Sequence, residues 1–329
     1  MKLHENKTLF RDAVTITAQK LNIPEVYIEK DYWVTYVLHT IYNEAIGQET
    51  VFKGGTALSK CFNLVQRFSE DIDLIVLRRE GESNNQLTNK IKRISKVVAN
   101  VLPEIEIKDI TQKMGMNRKT AHTYPKEFRG DYGQVRDIIV LEATWLGYYE
   151  PYTTRPVSSY VYEMMIATGQ KELAVEYGLL PFDLMVLEPK RTLCEKIMSL
   201  VRFSYTETPM EDLKKKIRHT YDIYQLLLDK TLLNFFNSHA FDELLLKVAN
   251  DDVISFKNNN AWLKHHPNES LIFANIDKVW HELKETYNGT FRTLVFGEFP
   301  SDDKVLNSLK VVKSRLTKIK WTINLNNGQ

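Results

Sequence analysis

VFKGGTALSKCFNLVQRFSEDIDL, residues 51–74, places a turn, a helix and two carboxylates in close succession. Thr50-Val51-Phe52 reads as a short strand, Gly54-Gly55 as a tight turn, and Ala57 to Val65 as a helix that Thr56 can cap. From Ser69 to Leu77 the pattern changes period: Asp71, Asp73 and Ile75 alternate with Ile72, Leu74 and Val76, the signature of a strand. Two acids at i and i+2 of a strand point the same way, about 6.5 to 7 Å apart, and both can reach one divalent ion.

Hard oxygen ligands suit Mg2+ or Mn2+. Phosphoryl and nucleotidyl transfer need such an ion to neutralise triphosphate charge. A third acid on a neighbouring strand would complete the set, and Glu142, set among Ile139, Val140 and Leu141, is the best-placed candidate, with Asp137 a weaker substitute. The other reading of Glu142 is an outward-facing acid on a half-exposed strand. Gly54, Gly55 and Thr56 supply the complementary part: glycines let phosphate approach the backbone, and the following helix start offers unpaired N–H groups.

Outward from this stretch, two helices are expected before it, one ending near Leu21 and one from Pro24 to Tyr42, with Pro24 suited to a first turn. After it come a basic helix from Gln86 to Val101 and strands near Ile105 to Ile110 and Asp137 to Trp145, separated by a polar basic loop. Beyond Thr154 the periodicity becomes helical, with Leu193, Ile197, Leu200 and Val201 on one face and Ile217, Tyr221, Tyr224 and Leu228 on another. A last helix opens at Ser301 after Pro300. The fold class expected is α+β, with a catalytic domain over residues 1–154 including the N-terminal helices and a mainly helical domain over 155–329.

Composition removes several classes. At 43% hydrophobic and 26% charged the 329-residue chain is that of a globular protein, and no apolar run approaches the roughly 18 residues of a membrane span. The start MKLHENKTLFRDAV lacks a signal-peptide core, so a cytoplasmic protein without a membrane partner is expected. Cys61 and Cys194 form no ligand cluster and read as buried small hydrophobes, and the histidines have no zinc spacing. Walker A, Gly-x-Ser-x-Gly and kinase motifs are missing. The net charge of +2 is unevenly placed: between Gln86 and Gly130 ten Lys/Arg face four Asp/Glu, an excess that fits RNA as well as a solvated helix face.

Lys53 to Thr56, a short helix, Arg67 to Ser69, and Asp71 with Asp73 together resemble the nucleotidyltransferase signature of the AbiEii/AbiGii toxin family, in the polymerase-β-like superfamily. Fourteen residues separate Thr56 from Asp71, a spacing similar to this toxin branch. Glu29-Lys30-Asp31-Tyr32-Trp33 resembles the family's N-terminal helix, and LCEKIMSLVRFS and RHTYDIYQLL its later motifs.

The resemblance implies a polymerase-β-like core with a small mixed sheet and a helical C-terminal part. It carries Lys196 and Asp222 into the active site, Lys196 toward phosphate charge and Asp222 orienting it or contacting substrate. The alternatives are a lysine reaching solvent from a core helix and a surface pair between Asp222 and Arg218. Arg67 and Ser69 stand close enough to the metal strand to touch phosphate, although Arg67 can equally pair with an acidic neighbour.

The implied activity is transfer of NMP from NTP, with release of pyrophosphate, by the toxin of a bacterial type IV toxin–antitoxin or abortive-infection system. The expected acceptor is RNA such as a tRNA 3′ end, and the antitoxin is encoded nearby and need not bind directly. Two rivals differ in outcome: an NTP-binding module without turnover, and transfer to a protein hydroxyl.

Overall fold

The computed structural model describes residues 1–133, 135–256, 259–323 and 325. The chain divides into two compact units. The first comprises Met1–Asn63, Arg67–Trp145 and Tyr152–Leu187, and the second Leu64–Gln66, Leu146–Pro151 and Glu188–Gln329.

The first unit opens with α1 (Lys7–Leu21) and α2 (Glu25–Tyr42). Then follow β1 (Thr50–Lys53), α3 (Gly54–Phe62), β2 (Ile72–Val76) and α4 (Asn84–Ala99). Short β3 (Glu104–Ile105) and β4 (Gln112–Lys113) precede β5 (Asn117–His122), β6 (Ile139–Thr144) and β7 (Tyr152–Val157). The unit ends with α5 (Tyr160–Ala167), α6 (Lys171–Glu176) and β8 (Phe182–Leu187).

Among the described residues eight strands form one mixed sheet in the order β3-β5-β6-β2-β1-β8-β7, with β4 paired to β5. β1 runs antiparallel to β2, and β2 parallel to β6. The central strands are apolar on both faces: Ile72, Leu74, Ile75 and Val76 are buried, as are Ile139, Val140, Leu141 and Ala143. The acids among them, Asp73 and Glu142, are half-buried. The fold is therefore mixed α+β, as expected.

Several local expectations change. α3 begins at Gly54, whose φ of +85° makes the corner, so Thr56 lies inside the first turn with its hydroxyl turned away from the capping position. The strand expected over Ile105 to Ile110 is two residues long, and the basic loop after it contains β5, whose Asn-Arg-Lys-Thr-Ala-His sequence hides a strand behind polar residues. Strands β7 and β8 occupy a region read as helical. β7 tolerates Pro156 because it is the edge of the sheet, and β8 lies parallel to β1. Cys194 is buried as expected, while Cys61 is half-buried.

The second unit is helical among its described residues: α7 (Pro189–Phe203), α8 (Pro209–Lys215), α9 (Ile217–Leu228), α10 (Lys230–Phe236), α11 (His239–Ser255), α12 (Leu271–Ala274), α13 (Ile276–Thr286) and α14 (Asp302–Leu316). Leu193, Ile197, Leu200 and Val201 bury one face of α7, and Ile217 and Tyr221 the matching face of α9. Leu228 departs from the expected face: it is the last residue of α9 and stands exposed. Ser301 takes the N-cap position of α14.

Candidate active site

Gly54 and Asp73 are in direct contact. A Cβ built on Gly54 would fall on Asp73 Oδ2, and one on Gly55 would fall on the Arg67 guanidinium, with Ser69 Oγ beside it. Both glycines are thus required by close approach, and Gly54 by its backbone angle as well. Thr56 Oγ1 donates to the Asp71 carbonyl at 2.7 Å and shares a hydrogen bond with Ser69 Oγ at 2.9 Å, tying the turn to the start of β2. Arg67 is buried, its guanidinium donating to the Phe68 carbonyl at 3.2 Å. No side chain caps the first turn of α3.

The sheet register sets the acids side by side. Asp73 is paired with Glu142 across the parallel β2–β6 ladder and with Lys53 across the antiparallel β1–β2 ladder, while Asp71 lies just before β2. Burial pushes the Asp73 carboxyl up to about 7, with Glu142 and then Asp71 adding repulsion and Lys53 and Lys119 pulling the other way. Glu142 accepts from Asn117 Nδ2 at 3.2 Å and lies 3.4 Å from Lys119 Nζ.

Asp71 meets a residue that the sequence reading missed. Arg136 Nη2 donates to its carboxylate oxygens at 2.7 and 2.9 Å. Behind this pair, Glu70 accepts from the Arg136 backbone N–H at 3.0 Å and binds Lys30, whose ammonium also donates to the Arg136 carbonyl. Lys30 and Glu70 are both buried, and burial lowers the Lys30 pKa against the opposing pull of Glu70.

The two other charges of Glu29-Lys30-Asp31 work in the same way. Glu29 accepts from the backbone N–H groups of Glu127 (2.7 Å) and Phe128 (3.3 Å), and Asp31 binds Lys60 of α3 and the Tyr160 N–H that opens α5. This motif therefore braces the site from behind. The available signal was three consecutive charges inside an apolar helix, a pattern that requires buried partners.

Among the described residues no group of three His, Cys, Asp or Glu side chains converges in ligand geometry. Asp71 faces Arg136 and Glu142 faces Asn117 and Lys119. The donor chemistry nonetheless fits a hard cation: an all-oxygen set on adjacent strands, whose central member has its pKa raised first by burial and then by the charge of Glu142 and Asp71. Asp137, the weaker candidate, is instead paired with Lys126 at 2.5 Å.

In the second unit, Lys196 of α7 and Asp222 of α9 form an ion pair of 2.6 Å with exposures of 6% and 0%. A solvent-reaching lysine and a surface Asp222–Arg218 pair both disagree with that burial. The later motifs imply that Asp222 orients Lys196 or contacts substrate, and in the structure the two side chains are paired with each other.

No curated protein sequence matches the chain. The nucleotidyltransferase toxin MenT4 of Mycobacterium tuberculosis is similar in structure with a TM-score of 0.48 at 16% identity, over 91% of this chain and 98% of that one. The model of the family described as nucleotidyl transferase AbiEii toxin, type IV TA system, matches residues 36–307. That span takes in Lys53 to Thr56, Asp71, Asp73, Glu142, Lys196 and Asp222, and the chain belongs to this family of nucleotidyltransferase toxins.

Proposed function

We propose that the protein transfers NMP from an NTP to the 3′ hydroxyl of an RNA, with the triphosphate seated on Gly54, Gly55 and Thr56. The observation that carries this reading is the contact of Gly54 with Asp73, itself in register with Glu142: the glycine turn expected to take phosphate borders the acids expected to take the cation. Asp71, Asp73 and Glu142 would hold Mg2+ or Mn2+, which supplies neutralisation of the triphosphate and the departing pyrophosphate. The acceptor oxygen bonds to the α-phosphorus, the bond to the β-phosphate oxygen breaks, pyrophosphate leaves, and the hydroxyl proton passes to solvent. Lys196, oriented by Asp222, serves phosphate charge, a role supported by the later motifs. Arg67 and Ser69 keep the turn in shape from beneath Gly55.

Support for an RNA acceptor comes from the outer face of α4. Lys92, Arg93 and Lys96 are exposed on a helix without an acidic residue, and among the described residues none of them has an ion-pair partner. The remaining excess is partly absorbed by the fold: Lys90 is buried against Glu49 (2.8 Å) and Glu82 (2.6 Å), and Lys113 pairs with Glu104 at 2.8 Å.

Incubation with bulk tRNA, magnesium and each labelled NTP in turn should label RNA with at least one nucleotide and release pyrophosphate. Asp71→Ala and Asp73→Ala should each reduce labelling more than a hundredfold, on the scale of lost transition-state charge stabilisation. No transfer with any NTP, or undiminished transfer by either variant, would defeat the reading.

A further inference from the structure

An open cleft of about 570 Å³ lies on the first unit, in the segment between β5 and β6. Among the described residues its walls carry Lys126, Arg129 and Arg136 against the single acid Asp137, together with Phe128 and Tyr132. Cations interleaved with half-buried aromatic rings make a surface for a nucleotide: guanidinium groups take phosphate, and a ring face takes a base of any identity.

The cleft is tied to the rest of its unit. Glu29 of α2 holds the backbone of Glu127 and Phe128, and the Tyr27 hydroxyl donates to the Tyr132 carbonyl at 3.0 Å. Arg11 lies over the Phe128 ring, 5.4 Å from its centroid, and Lys126 over the Tyr124 ring at 5.7 Å. The walls therefore exist before a ligand arrives, which lowers the ordering cost of binding.

Arg136 connects this cleft to the candidate chemistry: the residue lines the cleft, and its guanidinium holds both carboxylate oxygens of Asp71. Asp73, by contrast, touches the glycine turn. Each carboxylate thus has its own neighbour, Asp73 the phosphate turn and Asp71 the aromatic and basic cleft. In-line transfer requires the attacking oxygen and the leaving pyrophosphate to lie on opposite sides of the α-phosphorus. With the triphosphate at the turn, the strand bearing the attacking hydroxyl approaches from elsewhere, and the Asp71 side offers this cleft.

We infer that the cleft bounded by Phe128, Arg129, Tyr132 and Arg136 receives the terminal nucleotide of the RNA acceptor. Arg129 and Arg136 hold its phosphate, and Tyr132 with Phe128 stacks its base. This rests on the RNA-acceptor reading above and names the place on the protein where that acceptor is held.

The test compares wild type with Arg129→Glu, Tyr132→Ala and Tyr132→Phe. Arg129 is exposed with no ion pair among the described residues, so its reversal leaves the fold intact, and thermal melts check the tyrosine variants. Two quantities are read: the KM for bulk tRNA against the KM for the NTP in metal-dependent labelling, and the Kd for fluorescently labelled tRNA without NTP. The expected result is a rise of about tenfold or more in tRNA Kd and KM for Arg129→Glu and Tyr132→Ala, with the NTP KM unchanged and Tyr132→Phe close to wild type.

A raised NTP KM with unchanged tRNA binding would reassign the cleft to the donor nucleotide and overturn the inference, as would no change in either substrate. These outcomes presuppose RNA labelling by the wild type and so leave the acceptor reading standing. An unlabelled RNA with wild-type enzyme removes that reading, and the cleft assignment with it.

Discussion

Arg136 Nη2 lies 2.7 Å from Asp71 Oδ1 and 2.9 Å from Asp71 Oδ2, so a guanidinium answers the charge of one proposed metal ligand. A cation seated on Asp71 must share the carboxylate with that guanidinium or displace it. Arg136→Gln removes the competing charge and should tighten Mn2+ binding in the absence of NTP about tenfold, read by calorimetry or electron paramagnetic resonance. Weaker Mn2+ binding by this variant would show that Arg136 helps seat the ion.

Asp73 gives a prediction in pH. Its folded carboxyl is pushed up to about 7, above the ordinary aspartate value near 4, so the folded chain holds a proton that the unfolded chain has lost between these values. Its contribution to stability is present below about pH 4 and is lost as pH rises through about 7. With a chelator at pH 8, Asp73→Asn should melt at a higher temperature than wild type, and the difference should vanish near pH 4. Adding Mg2+ or Mn2+ should raise the wild-type Tm and leave the variant unmoved. Equal Tm values in chelator across this range would contradict the assignment.

Lys196 and Asp222 require care because the pair is buried. Lys196→Ala removes one member of a buried ion pair and should destabilise the helical unit by about 3–5 kcal/mol, so loss of activity in that variant is uninformative. Lys196→Met with Asp222→Leu replaces the pair by apolar groups and should keep its denaturation midpoint close to wild type. That folded double variant should nevertheless lack transfer. Wild-type labelling by it would leave the pair a structural role only.

Charge reversal on α4 should separate recognition from folding. Lys92→Glu, Arg93→Glu and Lys96→Glu together should weaken tRNA binding and flatten its salt dependence while preserving the melting temperature. Lys90→Glu should do the opposite, because its ammonium is clamped by Glu49 and Glu82 and by the Leu77 carbonyl at 3.0 Å. The two measurements are a salt titration of binding and a thermal melt. Unchanged tRNA affinity in the triple variant would remove α4 from the RNA surface.

The legible parts of this chain are those whose signal is local. The glycine corner, the alternation around Asp71 and Asp73, and the strand about Glu142 each occupy fewer than ten residues with one period, and the sheet register then sets Asp73 beside Glu142. Arg136 was hidden because it follows an aperiodic connection, and its relation to Asp71 spans 65 positions. The partners of Glu29 and of Lys30 at Glu70 are 98 and 40 positions away, so a run of charges in α2 could be noticed but not explained. β7 and β8 escaped for a different reason: FDLMVL suits a buried helix segment as well as a buried strand, and only its pairing with β1 and β7 decides.

The sheet order also has a consequence for how the protein can vary. β2 and β6, which carry or adjoin the three acids, are interior strands with a partner on either side, whereas Arg129 and Tyr132 belong to a connection outside the ladder. Amide exchange should therefore be slowest in β2 and β6, beside the proposed metal ligands, and faster along the wall proposed to meet the acceptor. An insertion or exchange of side chains in that wall breaks no strand pairing, while a one-residue slip in β2 would turn Asp73 to the opposite face of the sheet. The proposed chemistry and the proposed choice of target thus lie on backbone of different stiffness, and side-chain exchanges in the wall should leave the acids in place.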